Sequence, residues 1–148
     1  MTNENLDLSK TVEALNRILE VELAGVVRYT HYSLMVYGYN RIPIVSWLRA
    51  QAGESLAHAH QAGEWITTLD GHPSLAVGPL LETHKHDIGS ILQESLQSEK
   101  DGLARYHALL ELVKDKHVAL EEYAREMIHA EVVHVSEVEK MLRVPAKG

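Results

Sequence analysis

Apolar residues in this chain recur at steps of three and four positions, which is the period of a helix buried on one face. Near the end of the chain the stripe reads Leu120, Ala124, Met127, Glu131, His134, Val138 and Met141. Near its start it reads Val12, Leu15, Leu19, Glu22, Val26, Tyr29 and Ser33, with Glu13 and Glu20 off the stripe and facing solvent. A second track passes Trp47, Gln51, Glu54 or Ser55, His58, Ala62, Trp65 and Leu69, and a third passes Ile88, Leu92, Ser95, Glu99, Tyr106, Leu110 and Val113. Asn40 with Pro43, the run Leu69-Asp70-Gly71-His72-Pro73, and Lys114-Asp115-Lys116 punctuate these stripes. Together they predict four helices over about 9–39, 42–70, 87–114 and 117–143, the first capped by Asp7 or Ser9 and the third by Asp87.

Connection lengths then set the topology. Only the segment from Gly71 to about His86 is long enough to travel the length of a helix, and a short helical turn after Pro79 fits within it. The expectation is an all-α four-helix bundle with one long crossover between helices 2 and 3, which makes those two parallel and the other sequence neighbours antiparallel. At 148 residues the chain reads as a single domain, 1–148.

Composition narrows the chemistry. The absence of cysteine removes disulfides, thiolate ligands and cysteine nucleophiles together, so any metal must use carboxylate and imidazole. A net charge of -7, with 21 acidic against 14 basic residues and no basic cluster, argues against nucleic acid as a partner. No apolar run approaches a membrane span, and the Met1 to Lys10 stretch is too polar for a secretory signal, so neither a membrane partner nor an export route is expected and a cytoplasmic location is.

Within the stripes, acidic and imidazole groups stand at mid-height on positions that belong to the core: Glu22, Glu54 with His58, Glu99, and Glu131 with His134. A single Glu and His three apart is common in ordinary helices. Four carboxylates at one level, however, would repel each other strongly unless cations lay between them. Glu54 and His58, about 40° apart around their helix, can face one ion, whereas His60 lies roughly 160° from His58 and reads as a surface residue. Hard oxygens with two imidazoles suit iron or manganese, and two ions are needed to use four carboxylates. His84 and His86, one residue apart, fit either surface metal binding or plain solvation, and in a polar loop solvation is the expectation.

Glu22-Leu23-Ala24 followed by Tyr29, Ser98-Glu99-Lys100-Asp101-Gly102, Glu131 to His134, and His58-Ala59 followed by Leu69-Asp70-Gly71-His72-Pro73 resemble the ferritin-like superfamily, and within it bacterioferritin, over nearly the whole chain. The resemblance implies a ferritin-like di-metal carboxylate protein that binds ferrous iron and oxidises it with dioxygen or peroxide, a possible ferroxidase. Iron storage in a hollow shell is common in that family. It implies metal ligands at Glu22, Glu54, His58, Glu99, Glu131 and His134, with His58 and His134 capping opposite ends and Glu131 and Glu54 reaching between two iron ions. Manganese or zinc can substitute. Tyr29 is then placed to hydrogen-bond a ligand or supply an electron, or is a buried structural tyrosine.

Three positions depart from the family pattern. Ser55 stands where the family's second-helix Glu precedes the His by three; Glu54, with Gln51 or a water, is the substitute, or else the site holds one ion or none. A shifted register would put His58 in the Glu slot and Gln61 in the His slot. The loss at Ser55 predicts weaker metal binding on the second-helix side and slow turnover. Leu56 falls at the haem-ligating methionine, so no haem is expected, and the chain ending Val144-Pro145-Ala146-Lys147-Gly148 leaves no extra cage-closing helix. The other reading is a bundle of the same descent with a degraded, mono-metal or empty site that serves as an assembly or binding module. Aromatic and apolar residues beyond one stripe, Tyr32, Tyr37, Tyr39, Ile44 and Trp47, predict a homo-oligomer, at least a dimer, unless they pack beneath the crossover.

Overall fold

The computed structural model describes residues 5–145; the first residues of the polar amino-terminal stretch and the last three of the carboxyl-terminal tail lie outside them. Among the described residues there are four long helices and no strand: α1 (Leu8–Met35), α2 (Arg41–Thr68), α3 (Ile88–Val113) and α4 (Val118–Leu142). The Asp7 carboxylate accepts from the Lys10 amide at the start of α1, Asp87 does the same for Ser90 at α3, and the His117 imidazole accepts from the Leu120 amide at α4. Helix α1 stops at Met35, four residues short of the expected end, because Val36 turns extended and the Arg41 guanidinium donates to the freed carbonyls of Ser33 and Val36. Gly38, at φ 103°, then reverses the chain in a conformation that a Cβ would disfavour.

Contacts between helices fix their directions. Glu22 lies opposite His58 and Ser33 opposite Arg49, so α1 and α2 run antiparallel. Tyr29 with Glu99, and Glu22 with Tyr106, make α1 and α3 antiparallel as well. Trp47 with His134, and Trp65 with Tyr123, set α4 against α2 in the same sense. It follows that α2 and α3 are parallel, as the long crossover requires. No helix among the described residues is long and apolar enough to cross a membrane.

The crossover, 69–87, contains no helical turn after Pro79; it runs extended along the outside of α1. Asn16 holds its first part by donating to the His72 carbonyl and accepting from the Ser74 amide. Further on, the Gly78 amide donates to the Glu20 carbonyl, and a Cβ at Gly78 would sit 3.1 Å from that same oxygen, a tight contact that favours glycine at this approach.

The core is in two parts. Leu15, Ile18, Ala62, Ile66, Leu109, Leu120, Ala124 and Met127 fill one end of the bundle, while Tyr29, Tyr32, Val36, Leu48 and Ile91 fill the other. Each fully enclosed Leu or Ile contributes roughly 1.5–3 kcal/mol. These two clusters carry the stability and leave a polar layer between them, at the level of Glu22, Ser55, Glu99 and Glu131.

Candidate metal centre

Each helix brings its polar side chains to that layer because each occupies a core position in an otherwise apolar series. Glu22 from α1 and Glu131 from α4 are buried, and His58 from α2 lies between them. The His58 Nδ1 atom is 3.6 Å from Glu22 Oε2 and 3.8 Å from Glu131 Oε1, and the ligand atoms of the three residues all lie within 4.8 Å of one another. Two donors on a tetrahedral metal stand about 3.3 Å apart, so His58 stands only a few tenths of an ångström beyond that spacing from each of the two carboxylates. Glu131 Oε2 is enclosed and hydrogen-bonds to nothing among the described residues. A buried carboxylate oxygen without a donor is costly, and a cation is what this position lacks.

On the α3 side, Glu99 Oε1 accepts a 2.7 Å hydrogen bond from the Tyr29 hydroxyl and stands 3.9 Å from His134 Nε2. Tyr29 is also 2.8 Å from Ser95 Oγ and 3.1 Å from His134 Nε2, so it knits α1, α3 and α4 at the edge of the site. Trp47 stacks flat on the His134 ring and fixes its plane. Glu22 is oriented by Tyr106, whose hydroxyl donates to Oε1 at 2.9 Å and leaves Oε2 turned toward His58.

The charges are strongly coupled. Burial, then the Glu99 charge, pushes the Glu131 carboxyl far above the carboxylate range. Burial likewise raises Glu22, against the pull of His58. Burial would also raise Glu99, but a hydrogen bond from Glu131, the neighbouring His134, Tyr29 and Arg28 outweigh it, and Glu99 stays below its usual value. Burial would lower His58, yet Glu22 and the other carboxylates hold it above its ordinary value. Without a metal the layer therefore keeps a proton on Glu131, shared with an ionised Glu99.

The remaining expected ligand is set apart. Glu54 lies on the outer side of His58, 3.9 Å from Nε2 and half exposed, while Nδ1 faces Glu22 and Glu131. It lines the mouth of the site with Gln51. Ser55 takes the inward position, because α1 and α2 approach so closely there that a Cβ on Gly25 would meet Ser55 Oγ at 2.7 Å. Gln61, the His slot of the shifted register, is exposed and lines no part of the layer.

A family model for the ferritin-like domain matches residues 12–146. The chain belongs to the ferritin family. A ferritin-like diiron-carboxylate protein from Bacillus anthracis str. Ames superposes on this ferritin-like domain with a TM-score of 0.87 at 25% identity, over 93% of this chain and 98% of that one. The bacterioferritin-related protein of Bacteroides fragilis, a dodecameric thioferritin, gives 0.84 at 22% identity, over 93% of this chain and 87% of that one. Rhodobacter capsulatus bacterioferritin gives 0.82 at 23%, over 96% and 86%. The last two share the fold. The comparison with curated proteins gives no match.

One residue of this ferritin-like site escaped the sequence reading. Arg28 is buried, its Nη2 3.6 Å from Glu99 Oε1 and its guanidinium 5.3 Å from the centre of the Tyr29 ring. It extends toward Ser55, where the family pattern has a carboxylate, so a fixed cation and a missing anion meet at one spot. The signal for it is slight, since an arginine beside a stripe reads as solvent-facing.

Proposed function

We propose that this ferritin-like protein binds ferrous iron inside the bundle and oxidises it with dioxygen or peroxide, in the cytoplasm. The observation that carries the reading is the convergence of Glu22, His58 and Glu131 from three helices, with Glu99 and His134 beside them. Two ferrous ions supply one electron each; dioxygen takes both electrons with two protons and leaves as hydrogen peroxide, or peroxide takes the same two electrons and two protons and becomes two waters. Anionic oxygen ligands favour the ferric product.

Glu22 and His58 would hold a first ion and Glu99 with His134 a second, with Glu131 within reach of both. The Arg28 charge opposes a cation at Glu99, so the second ion binds more weakly than the first; the disadvantage that Ser55 brings falls on the α3 side. Glu54 joins only by swinging inward. Tyr29 holds Glu99 in place and is positioned to supply an electron. Manganese and zinc compete for the same ligands, and no haem is proposed, with Leu56 at the position of the family's haem methionine.

The test is an anaerobic ferrous titration followed by oxidation under air, on the wild type and on Glu131→Ala and Glu99→Ala variants. Both variants are expected to lose metal and rate, Glu131→Ala the more. Unchanged rates and metal content in both would place the chemistry elsewhere. Ser55 and Arg28 also support a second reading, a site for one ion with a binding or assembly role. One ferrous ion per chain that is lost in Glu131→Ala, with no oxidation above the buffer rate in the wild type, would establish it.

The protein is proposed to assemble as a homo-oligomer, at least a dimer. Tyr37, Tyr39 and Ile42 stand exposed at the α1–α2 turn, and Val132 and Val133 on the outer face of α4, whereas Tyr32 is buried and Trp47 is spent on His134. A protein of the same fold, from Bacteroides fragilis, is a dodecamer. Light scattering that finds only monomer at micromolar concentration would rule assembly out.

A further inference from the structure

The crossover brings a second set of metal-ligating groups to the outside of the bundle, on the opposite side of Tyr32 from the central layer. His31 projects from α1, and Glu82 and His86 come from the end of the crossover. Glu82 Oε2 lies 2.9 Å from His31 Nε2, Glu82 Oε1 lies 3.6 Å from His86 Nε2, and the ligand atoms of the three residues all fall within 4.8 Å of one another. We propose that His31, Glu82 and His86 form a second cation site, separate from the central one, for a divalent transition metal of the zinc class.

Geometry and hydrogen bonding both support it. The two separations bracket the roughly 3.3 Å expected between donors that share one tetrahedral ion. Both Nε2 atoms are enclosed, and each has a Glu82 oxygen as its one near polar neighbour among the described residues, in neither case with the alignment of a good hydrogen bond. Two ring nitrogens turned on one carboxylate form the arrangement that an ion completes. The rings are held 5.8 Å apart, centre to centre, and steeply inclined at 68°, so that they converge without stacking.

The cluster is also braced from beneath. The buried Glu94 accepts from the Thr83 amide and hydroxyl through Oε2 and from the Tyr32 hydroxyl through Oε1, which pins the loop between Glu82 and His86 to the bundle. Glu82 Oε1 accepts from the His84 amide, which aims the carboxylate. His84 itself points to solvent, its Nδ1 3.9 Å from Glu82, and leaves the fourth position to water. Two imidazoles and one carboxylate favour zinc, cobalt, nickel or ferrous iron over calcium or magnesium, which prefer oxygen alone. Because the ligands come from α1 and from the crossover, a bound ion fastens one to the other.

Cobalt(II) serves as a spectroscopic probe for this class of metal. The full chain, its His31→Gln/His86→Gln variant, and its Glu99→Ala/Glu131→Ala variant are titrated by equilibrium dialysis, with visible spectra recorded at each addition. The histidine variant is expected to bind one equivalent less per chain than the wild type, to lose the matching absorption and to keep ferrous oxidation. The carboxylate variant is expected to retain that equivalent, so failure of the central reading leaves this one standing. Equal cobalt content and unchanged spectra in the wild type and the histidine variant would overturn the site and leave an ion-paired cluster. Because His31 and His86 both reach the surface, their replacement preserves the helices, which circular dichroism checks.

Discussion

Glu131 shows how a single residue can be costly in the empty protein and useful in the loaded one. Its carboxyl is buried beside Glu99 and Glu22, one of its oxygens has no donor, and its proton is held far more tightly than in the unfolded chain. Glu131→Gln keeps the shape, gives Glu99 a permanent N–H donor and removes the ionisation cost. We expect it to stabilise the metal-free protein by about 1–3 kcal/mol, measured by urea unfolding in chelator. Because the folded pKa lies above the unfolded value of 4.5, the folded wild type holds a proton that the unfolded chain has lost, and its stability falls as pH rises from there through neutrality. The advantage of the Gln variant should therefore vanish near pH 4 and widen toward pH 8, and its melting temperature should rise less with ferrous iron than that of the wild type. Arg28→Gln tests the opposite charge: it should raise the affinity of the second ferrous ion by about tenfold, the equivalent of about 1.4 kcal/mol, in an anaerobic titration. Glu22, Glu99, Glu131 and the two histidines were legible in the sequence because a charged group in an apolar stripe is conspicuous. Arg28 was not, since α1 is buried on more than one side and a single stripe describes only part of its contacts.

At the level of elements, the helices and their order followed from the apolar period and the breakers, while their ends and rotations depended on tertiary contacts. Helix α2 illustrates the limit: its track admitted Glu54 or Ser55, and close packing of Gly25 against α2 decided for the smaller residue. The cap of α4 was equally hidden, because histidine reads as a ligand or a surface group more readily than as an N-cap. His117→Ala should cost about 1 kcal/mol in urea unfolding, from the lost acceptor for the Leu120 amide, and His117→Asn should recover most of it. The crossover makes a sharper case. Its length was evident, but its path along α1 was not, and with it the meeting of His31, Glu82 and His86, which are distant in sequence. Gly78→Ala should loosen that path, since its Cβ would press on the Glu20 carbonyl, and should lower stability by roughly 1 kcal/mol.

As a whole, the molecule is two antiparallel hairpins, α1–α2 and α3–α4, laid together over a shared polar layer. Each hairpin presents a glutamate on its first helix and a histidine on its second, 36 residues later from Glu22 to His58 and 35 later from Glu99 to His134. Where the second hairpin places Glu131 three residues before its histidine, the first places Ser55. That break in an approximate twofold relation has a kinetic consequence. Two half-sites of unequal affinity fill in order, and a chain holding one ferrous ion has a single electron to offer an oxidant that needs two. Oxidation should then rise as the square of iron added below one ion per chain and linearly above it, and stopped-flow absorbance at increasing iron loading would display the curvature. Arg28→Gln, which narrows the gap between the two half-sites, should lessen the curvature.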